Sequence, residues 1–304
     1  MATNQFKSAE VLVFKPESVK RTAINKCLRA LGFRKINQAS SFEELNQLLQ
    51  TSSPDILLCA SDYADEDLIK LVQSLREGLI APNPFLVVLA MSWCSDDETV
   101  TAYRNAGVDG FLSFPLSPPK LGNFLQGQIE QRKKFVATAD YVGPDRRRDP
   151  ARSGTECFKV VNSFRLKAIG SPAGEIESQV TTALQKSIVR LGAARRRADV
   201  MQLCIQWRLL ERSRSGSPDA KNFLRRLRAI AQDVESRAEQ ASENTTRHHC
   251  HTICDATTSM EAMTHGPADN ETEKSIACTA HIERIGRAVF SLAELFAPES
   301  VMPM

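Results

Sequence analysis

Aromatic residues make up only 6% of the 304-residue chain, and no apolar run approaches the roughly 18–20 residues that cross a bilayer. No membrane span is therefore expected. The opening residues, MATNQFKSAE, lack the apolar core of a signal peptide, which points to a cytoplasmic protein. Closely spaced cysteines are also missing: of eight, only Cys250 and Cys254 lie near each other. That excludes a small disulfide scaffold and favours buried thiols. With 42% hydrophobic and 25% charged residues, wholesale disorder is excluded as well.

Neither charge sign dominates overall, but the chain is uneven. Residues 1–130 carry 12 Lys and Arg against 15 Asp and Glu, residues 131–215 carry 18 against 8, and residues 216–304 carry 9 against 13. A basic middle between acidic flanks suggests intramolecular docking or an anionic partner. At about 100–200 residues per domain, the length predicts two domains.

The first 130 residues alternate between two periods. Apolar runs at Val11–Phe14, Ile56–Ala60 and Phe85–Ala90 read as buried parallel strands, with shorter ones at Lys35–Gln38 and Gly110–Ser113. Between them lie helical patterns over 17–31, 41–49, 65–76, 96–106 and 118–131. Ser41 with Glu44 forms a capping box, and Gly32 and Gly107 supply stops. Strict alternation predicts an α/β fold, a doubly wound five-stranded parallel sheet. In such sheets chemistry sits beyond the carboxyl ends of the strands.

The pieces VLVFKPESVKRTAINKCLRALGF, SPDILLCASDYADEDLIKLVQSLR and FLVVLAMSWCSDDETVTAYRNAGVDGFLSFPLSPPKL, with their spacing, resemble the receiver (CheY-like) domain of bacterial response regulators. The likeness covers residues 8–131, and NAGVDGFLSFPLSPPKL is its most specific stretch. It implies a part in two-component signalling or a phosphorelay. It also implies five reactive groups: an acidic pair after the first strand that holds Mg²⁺, an Asp phosphoacceptor after the third, a hydroxyl after the fourth and a Lys after the fifth. Projected onto this chain, the acidic pair becomes Lys15 and Pro16, the phosphoacceptor Ala60, the hydroxyl position Ala90 and the lysine Phe114. Pro16 and Ala60 are 44 residues apart and Ala60 and Ala90 are 30 apart, as the family spacing implies. Only Glu17, a frequent third acidic residue there, remains.

Ala60 has no carboxylate, Lys15 repels Mg²⁺, Pro16 offers no side-chain oxygen and Phe114 cannot neutralise phosphate. Asp62 is a nearby loop carboxylate displaced from the strand end. The reading is a pseudo-receiver: not an enzyme, with no cofactor and no metal. The resemblance places its partner surface at Phe111, Leu116 and Tyr103, and Trp93 is either an exposed anchor or a cap on the vacated pocket.

Residues 132–170 read as a basic linker. The run QRKKFVATADYVGPDRRRDPARSGT is rich in Gly, Pro, Asp and Arg, which argues against regular structure. YVGPDRRRDP resembles a short tail found after some receiver domains. Arg146, Arg147 and Arg148 offer forks for carboxylates or phosphates, or else form a solvated, domain-bridging run.

Residues 171–298 read as a helical bundle or dimerisation domain. One stripe runs through Ile176, Val180, Leu184, Ile188 and Leu191, with a possible bend at Gly192, and continues at Met201, Cys204, Trp207 and Leu210. A second runs from Phe223 to Ala241 and a third from Cys278 to Phe296, with a weaker helix near 247–263. Arg195, Arg196 and Arg197, within a basic 190–228 segment, are candidates for anion or partner binding. No helix-turn-helix pattern accompanies them, which argues against nucleic acid. His248, His249, Cys250, His251 and Cys254 have the makings of a zinc site only if Cys278 and His281 join them. Ala280-His281-Ile282-Glu283-Arg284 faintly resembles a histidine-phosphotransfer helix.

The sequence therefore points to a non-catalytic signalling adaptor that binds a protein partner and self-associates through its helices. Two alternatives stay open: a phosphotransfer protein using His281, and a nucleic-acid-binding regulator.

Overall fold

The computed structural model describes residues 4–14, 18–60, 65–147, 156–170, 173–214, 217–240, 243–265 and 271–297. The chain divides into two compact units, Met1–Leu191 and Gly192–Met304.

In the first unit β1 (Glu10–Phe14), β2 (Lys35–Ala39), β3 (Ile56–Ala60), β4 (Val87–Ser92) and β5 (Gly110–Ser113) form a parallel sheet in the order β2-β1-β3-β4-β5. That is the doubly wound order of flavodoxin-like and CheY-like sheets. Alternate strand residues face opposite layers. Val11, Val13, Leu58 and Leu89 pack with α1 (Ser18–Ala30) and α5 (Pro118–Gln131). Leu12, Phe14, Leu57 and Val88 pack with α2 (Phe42–Thr51), α3 (Glu66–Arg76) and α4 (Asp97–Ala106).

Local chemistry sets the helix ends. The Glu44 N–H donates to Ser41 Oγ, and Glu44 Oε2 accepts from the Ser40 N–H, so the box closes one residue early. Asp65, Asp96 and Ser117 cap α3, α4 and α5, and Gly107 ends α4 in the left-handed region at φ 103°.

The described parts of the expected basic linker, 132–147 and 156–170, carry regular structure. The strands β6 (Phe135–Ala137), β7 (Val142–Pro144) and β8 (Cys157–Phe158) make a small antiparallel sheet in the order β7-β6-β8, followed by α6 (Ser163–Ala168). Phe164 of α6 packs on Phe6 and Phe33, at 5.5 and 6.4 Å between ring centroids. This extension is thereby part of the first unit's core.

The second unit is helical: the later part of α7 (Ala173–Arg212), then α8 (Pro218–Gln240), α9 (Asn244–His265) and α10 (Glu271–Leu295). Its core joins Val200, Leu203 and Leu210 of α7 to Leu227 and Val234 of α8, Ile253 and Met260 of α9, and Ile285, Val289 and Leu292 of α10. Two sequence expectations need correction. The weak fourth pattern is a full helix of 22 residues. Of the described residues of the α7 stripe only Met201 departs, at 62% exposed; Leu210 is buried, Cys204 and Trp207 pack against the core, and Val200 and Leu203 join it.

Candidate functional site

Three of the projected reactive positions are described by the structure: Ala60, Ala90 and Phe114. Lys15, Pro16 and Glu17, and likewise Asp62, lie outside the described residues. Ala60 is the last residue of β3 and is buried. Ala90 does not end its strand. It lies inside β4, opposite Cys59 and Phe111, and the strand continues to Ser92, which pairs with Ser113. The Phe114 N–H donates to the Ser92 carbonyl at 2.9 Å, which fixes that register. A hydroxyl therefore does stand at the end of β4, and it belongs to Ser92. The sequence could not mark this end, because β4 is buried along its whole length.

Phe114 follows β5, and Trp93 stacks on it at 5.3 Å with 28° between planes. Trp93 remains 54% exposed, so the pair forms a partly open aromatic platform. Lys120, in the first turn of α5, reaches back to the β5 end. Its ammonium donates to the Ser113 carbonyl at 2.6 Å and to Ser113 Oγ at 3.0 Å. The sequence reading passed over it because it sits seven residues after the strand.

Receiver domains hold a divalent cation with carboxylates at these strand ends. The described residues at the ends of β3, β4 and β5 offer no such carboxylate. Among the described residues, β3, β4 and β5 end in Ala60, Ser92 and Ser113, and the next residues after β4 and β5 are Trp93 and Phe114. Asp65 and Asp96 are occupied as helix caps, and hydrogen bonds from Cys94 and Thr99 hold the Asp96 carboxyl down to about 2. Mg²⁺ needs carboxylate oxygens in near-octahedral array. Ser92 supplies a neutral hydroxyl, and that hydroxyl accepts from the Cys94 N–H at 3.1 Å.

Of the expected partner surface, Phe111 and Leu116 are half-buried at the edges of the two cores. Tyr103 is not a surface residue. It is 1% exposed, its ring lies 6.0 Å from Phe111, and its hydroxyl accepts from the Asp65 N–H at 3.4 Å. A tyrosine on an amphipathic α4 reads equally as core or surface until its phase is fixed.

The arginine triplets are largely engaged within the chain. Arg146 lies over the Tyr141 ring at 4.1 Å and contacts Asn105 Oδ1. Arg147 forks onto Asp145, with Nε to Oδ1 at 2.8 Å and Nη2 to Oδ2 at 3.0 Å, and that fork holds the Asp145 carboxyl well below the carboxylate range. Arg148 lies outside the described residues. In the second unit Arg195 approaches Asp233 at 3.9 Å, Arg196 meets Glu243 at 3.4 Å and covers Phe296, and Arg197 also has a partner.

The His–Cys cluster does not gather. Cys250 is buried, and burial pushes its thiol up to about 12. His251 faces Glu235 and Asp255 at 3.8 and 3.5 Å. No group of three or more candidate metal ligands converges among the described residues. His281 is half-buried on α10, and its Nδ1 is buried without a hydrogen-bond partner.

The most elaborate polar site lies at the other end of the sheet, and the sequence hid it. Arg76, Asp109 and Arg132 are all nearly fully buried. Asp109 accepts from Arg76 Nη2 at 2.7 Å, Arg132 Nε at 2.8 Å, Arg132 Nη2 at 3.1 Å and the Val88 N–H at 2.9 Å. Burial works to raise the Asp109 carboxyl, but Arg132 and Arg76 pull it below the usual range. The remaining guanidinium protons go to the carbonyls of Gly107, Pro84, Phe85 and Leu86. Phe135 of β6 spreads over both guanidiniums at 5.2 and 5.3 Å. Beside it, β7 lies so close to the α4 cap that a Cβ on Gly143 would stand 2.9 Å from the Gly107 Cα. The Tyr141 hydroxyl donates to the Pro144 carbonyl at 2.8 Å. The YVGPDRR stretch is thus a structural clasp on the amino end of the sheet.

No protein-family model matches the chain, and no curated protein does either. Solved structures do resemble the chain's N-terminal two-fifths. The receiver domain of the sensor histidine kinase PA1611 from Pseudomonas aeruginosa is 18% identical, aligning 39% of this chain with 95% of its own at a TM-score of 0.35. Vibrio cholerae chemotaxis protein CheY4 is 19% identical over 39% of this chain and 96% of its own, at 0.35. The pilus assembly protein CpaE from Caulobacter crescentus is 16% identical over 39% of this chain and 92% of its own, at 0.33. At these identities the likeness concerns the fold alone.

Proposed function

We propose that the first unit is a receiver-like signalling module that works without aspartyl phosphorylation and binds a protein partner through the carboxyl ends of β4 and β5. One observation carries the reading: buried Ala60 stands where a phosphoacceptor is needed, while the Trp93–Phe114 platform occupies the neighbouring strand ends. A half-exposed, stacked tryptophan is the kind of rigid anchor that dominates protein interfaces. Loss of the acceptor removes the chemistry, and the platform supplies a fixed surface in its place. Incubation with acetyl phosphate and Mg²⁺ tests this. The intact mass stays unchanged on the proposed reading, and one added phosphoryl group on any aspartate refutes it.

The helical unit serves self-association on the same reading. Met201, Ile205 and Leu209 form an exposed apolar stripe on α7, and Phe290 of α10 is 47% exposed beside Trp207. A stripe at this spacing suits helix-against-helix burial. The whole chain then acts as a dimeric adaptor in signal transduction.

A further inference from the structure

Most buried or half-buried cations of the first unit are matched by a carboxylate, but one group of exposed cations is not. A cavity of about 260 Å³ lies between the end of α5 and the segment joining β8 to α6. Lys133, Lys134, Lys159 and Arg165 line it, and none of the four has an ion-pair partner among the described residues. The single carboxylate in its wall, Glu130, accepts from Gln126 Nε2 at 2.7 Å. The floor adds to the imbalance. Arg132 also lines the cavity, and Arg132 and Arg76 share the one carboxylate of Asp109, which leaves a net positive charge buried beneath the lysines. By contrast, Arg147 and Lys167 nearby are each held by an aspartate. Cations crowded around a concavity repel one another, and a low-dielectric wall focuses their field on an anion.

We infer that this cavity binds a small ligand bearing a diphosphate group. Four exposed donors around one opening suit several phosphate oxygens at once, and Arg165 can take two in a fork. The volume is below the roughly 300–1,000 Å³ of drug-sized sites, so it fits a diphosphate with little more than a small organic group. The inference is independent of the receiver reading, because the cavity lies where α5 meets the extension and uses none of the projected phosphorylation positions.

Titration calorimetry on the full chain at physiological ionic strength tests it, with inorganic pyrophosphate as one probe and a nucleoside diphosphate as the other. Saturable one-to-one binding of pyrophosphate is expected. Tighter binding of the nucleoside diphosphate identifies a nucleotide as the source, and equal binding identifies the bare diphosphate. The double variant Lys133→Gln/Lys159→Gln weakens binding by about tenfold or more, while Lys26→Gln on α1 leaves it unchanged. Arg165→Gln, read alongside a thermal melt, provides the same test if the double variant does not fold. Absence of saturable heat with both probes at millimolar concentration overturns the inference. So does wild-type affinity in the folded variants, or binding of heparin without binding of pyrophosphate.

Discussion

Replacing Asp109 with asparagine removes the one carboxylate that two buried guanidiniums share. In the native chain Asp109 accepts four hydrogen bonds and offsets one of two positive charges. Asparagine keeps the shape but leaves both cations without a counter-ion, and turns an NH₂ toward one of them. Breaking a buried pair by removing one partner costs about 3–5 kcal/mol. At about 2–4 °C per kcal/mol for a unit of this size, Asp109→Asn lowers Tm by roughly 6–20 °C. Differential scanning calorimetry reads the loss directly. The pH dependence gives a second check. The folded-state Asp109 is held below its unfolded value, so its contribution is complete above about pH 4 and fades as pH falls through the folded value. The gap between wild type and Asp109→Asn is therefore constant from pH 7 to about 5 and shrinks in stronger acid. A variant within about 0.5 kcal/mol of wild type at pH 7 refutes the claim that this cluster holds the extension to the sheet.

Gly143→Ala pushes a methyl group into the Tyr141 hydroxyl and the Gly107 backbone, and overpacking of this kind costs about 1–3 kcal/mol in a denaturant melt. In the second unit, burial raises the Asp199 carboxyl to about 6 against the pull of Arg237 and Arg195. Because this group holds its proton more tightly folded than unfolded, helical-unit stability rises by about 1 kcal/mol as pH falls from 7 to 5. Asp199→Asn abolishes that slope. Ile205→Glu on the exposed α7 stripe converts a dimer to a monomer in sedimentation equilibrium without unfolding the helices; an unchanged mass places self-association elsewhere.

The sheet was legible in the sequence because parallel strands are buried on both faces and read as short apolar runs, and because Ser41, Asp96 and Gly107 punctuate the helices. The clasp was not. Three-residue strands at Phe135 and Val142, set among glycine, proline and arginine, carry no period long enough to detect. Arg76 reads as an ordinary last-turn cation of α3, and its partner Asp109 lies 33 residues further on. Of the projected positions, Ala60 ends β3 and Phe114 follows β5, while Ala90 lies two residues inside β4, whose continuous burial conceals in the sequence where the strand stops. Met201 reads as a stripe residue because Val200–Leu203 and Met201–Cys204 share a three-residue spacing; packing buries the first pair, keeps Cys204 at the core's edge and exposes Met201.

On the proposed reading the receiver-like unit has no phosphorylation switch. Titration of the full chain with Mg²⁺ and beryllofluoride, a mimic of the phosphorylated aspartate, tests it most directly when followed by amide NMR shifts at Ala60, Ser92, Trp93 and Phe114. On that reading no saturable change is expected at millimolar reagent. A Mg²⁺-dependent, saturable shift centred on these strand ends contradicts it and assigns an acceptor carboxylate, with Asp62 the first to replace.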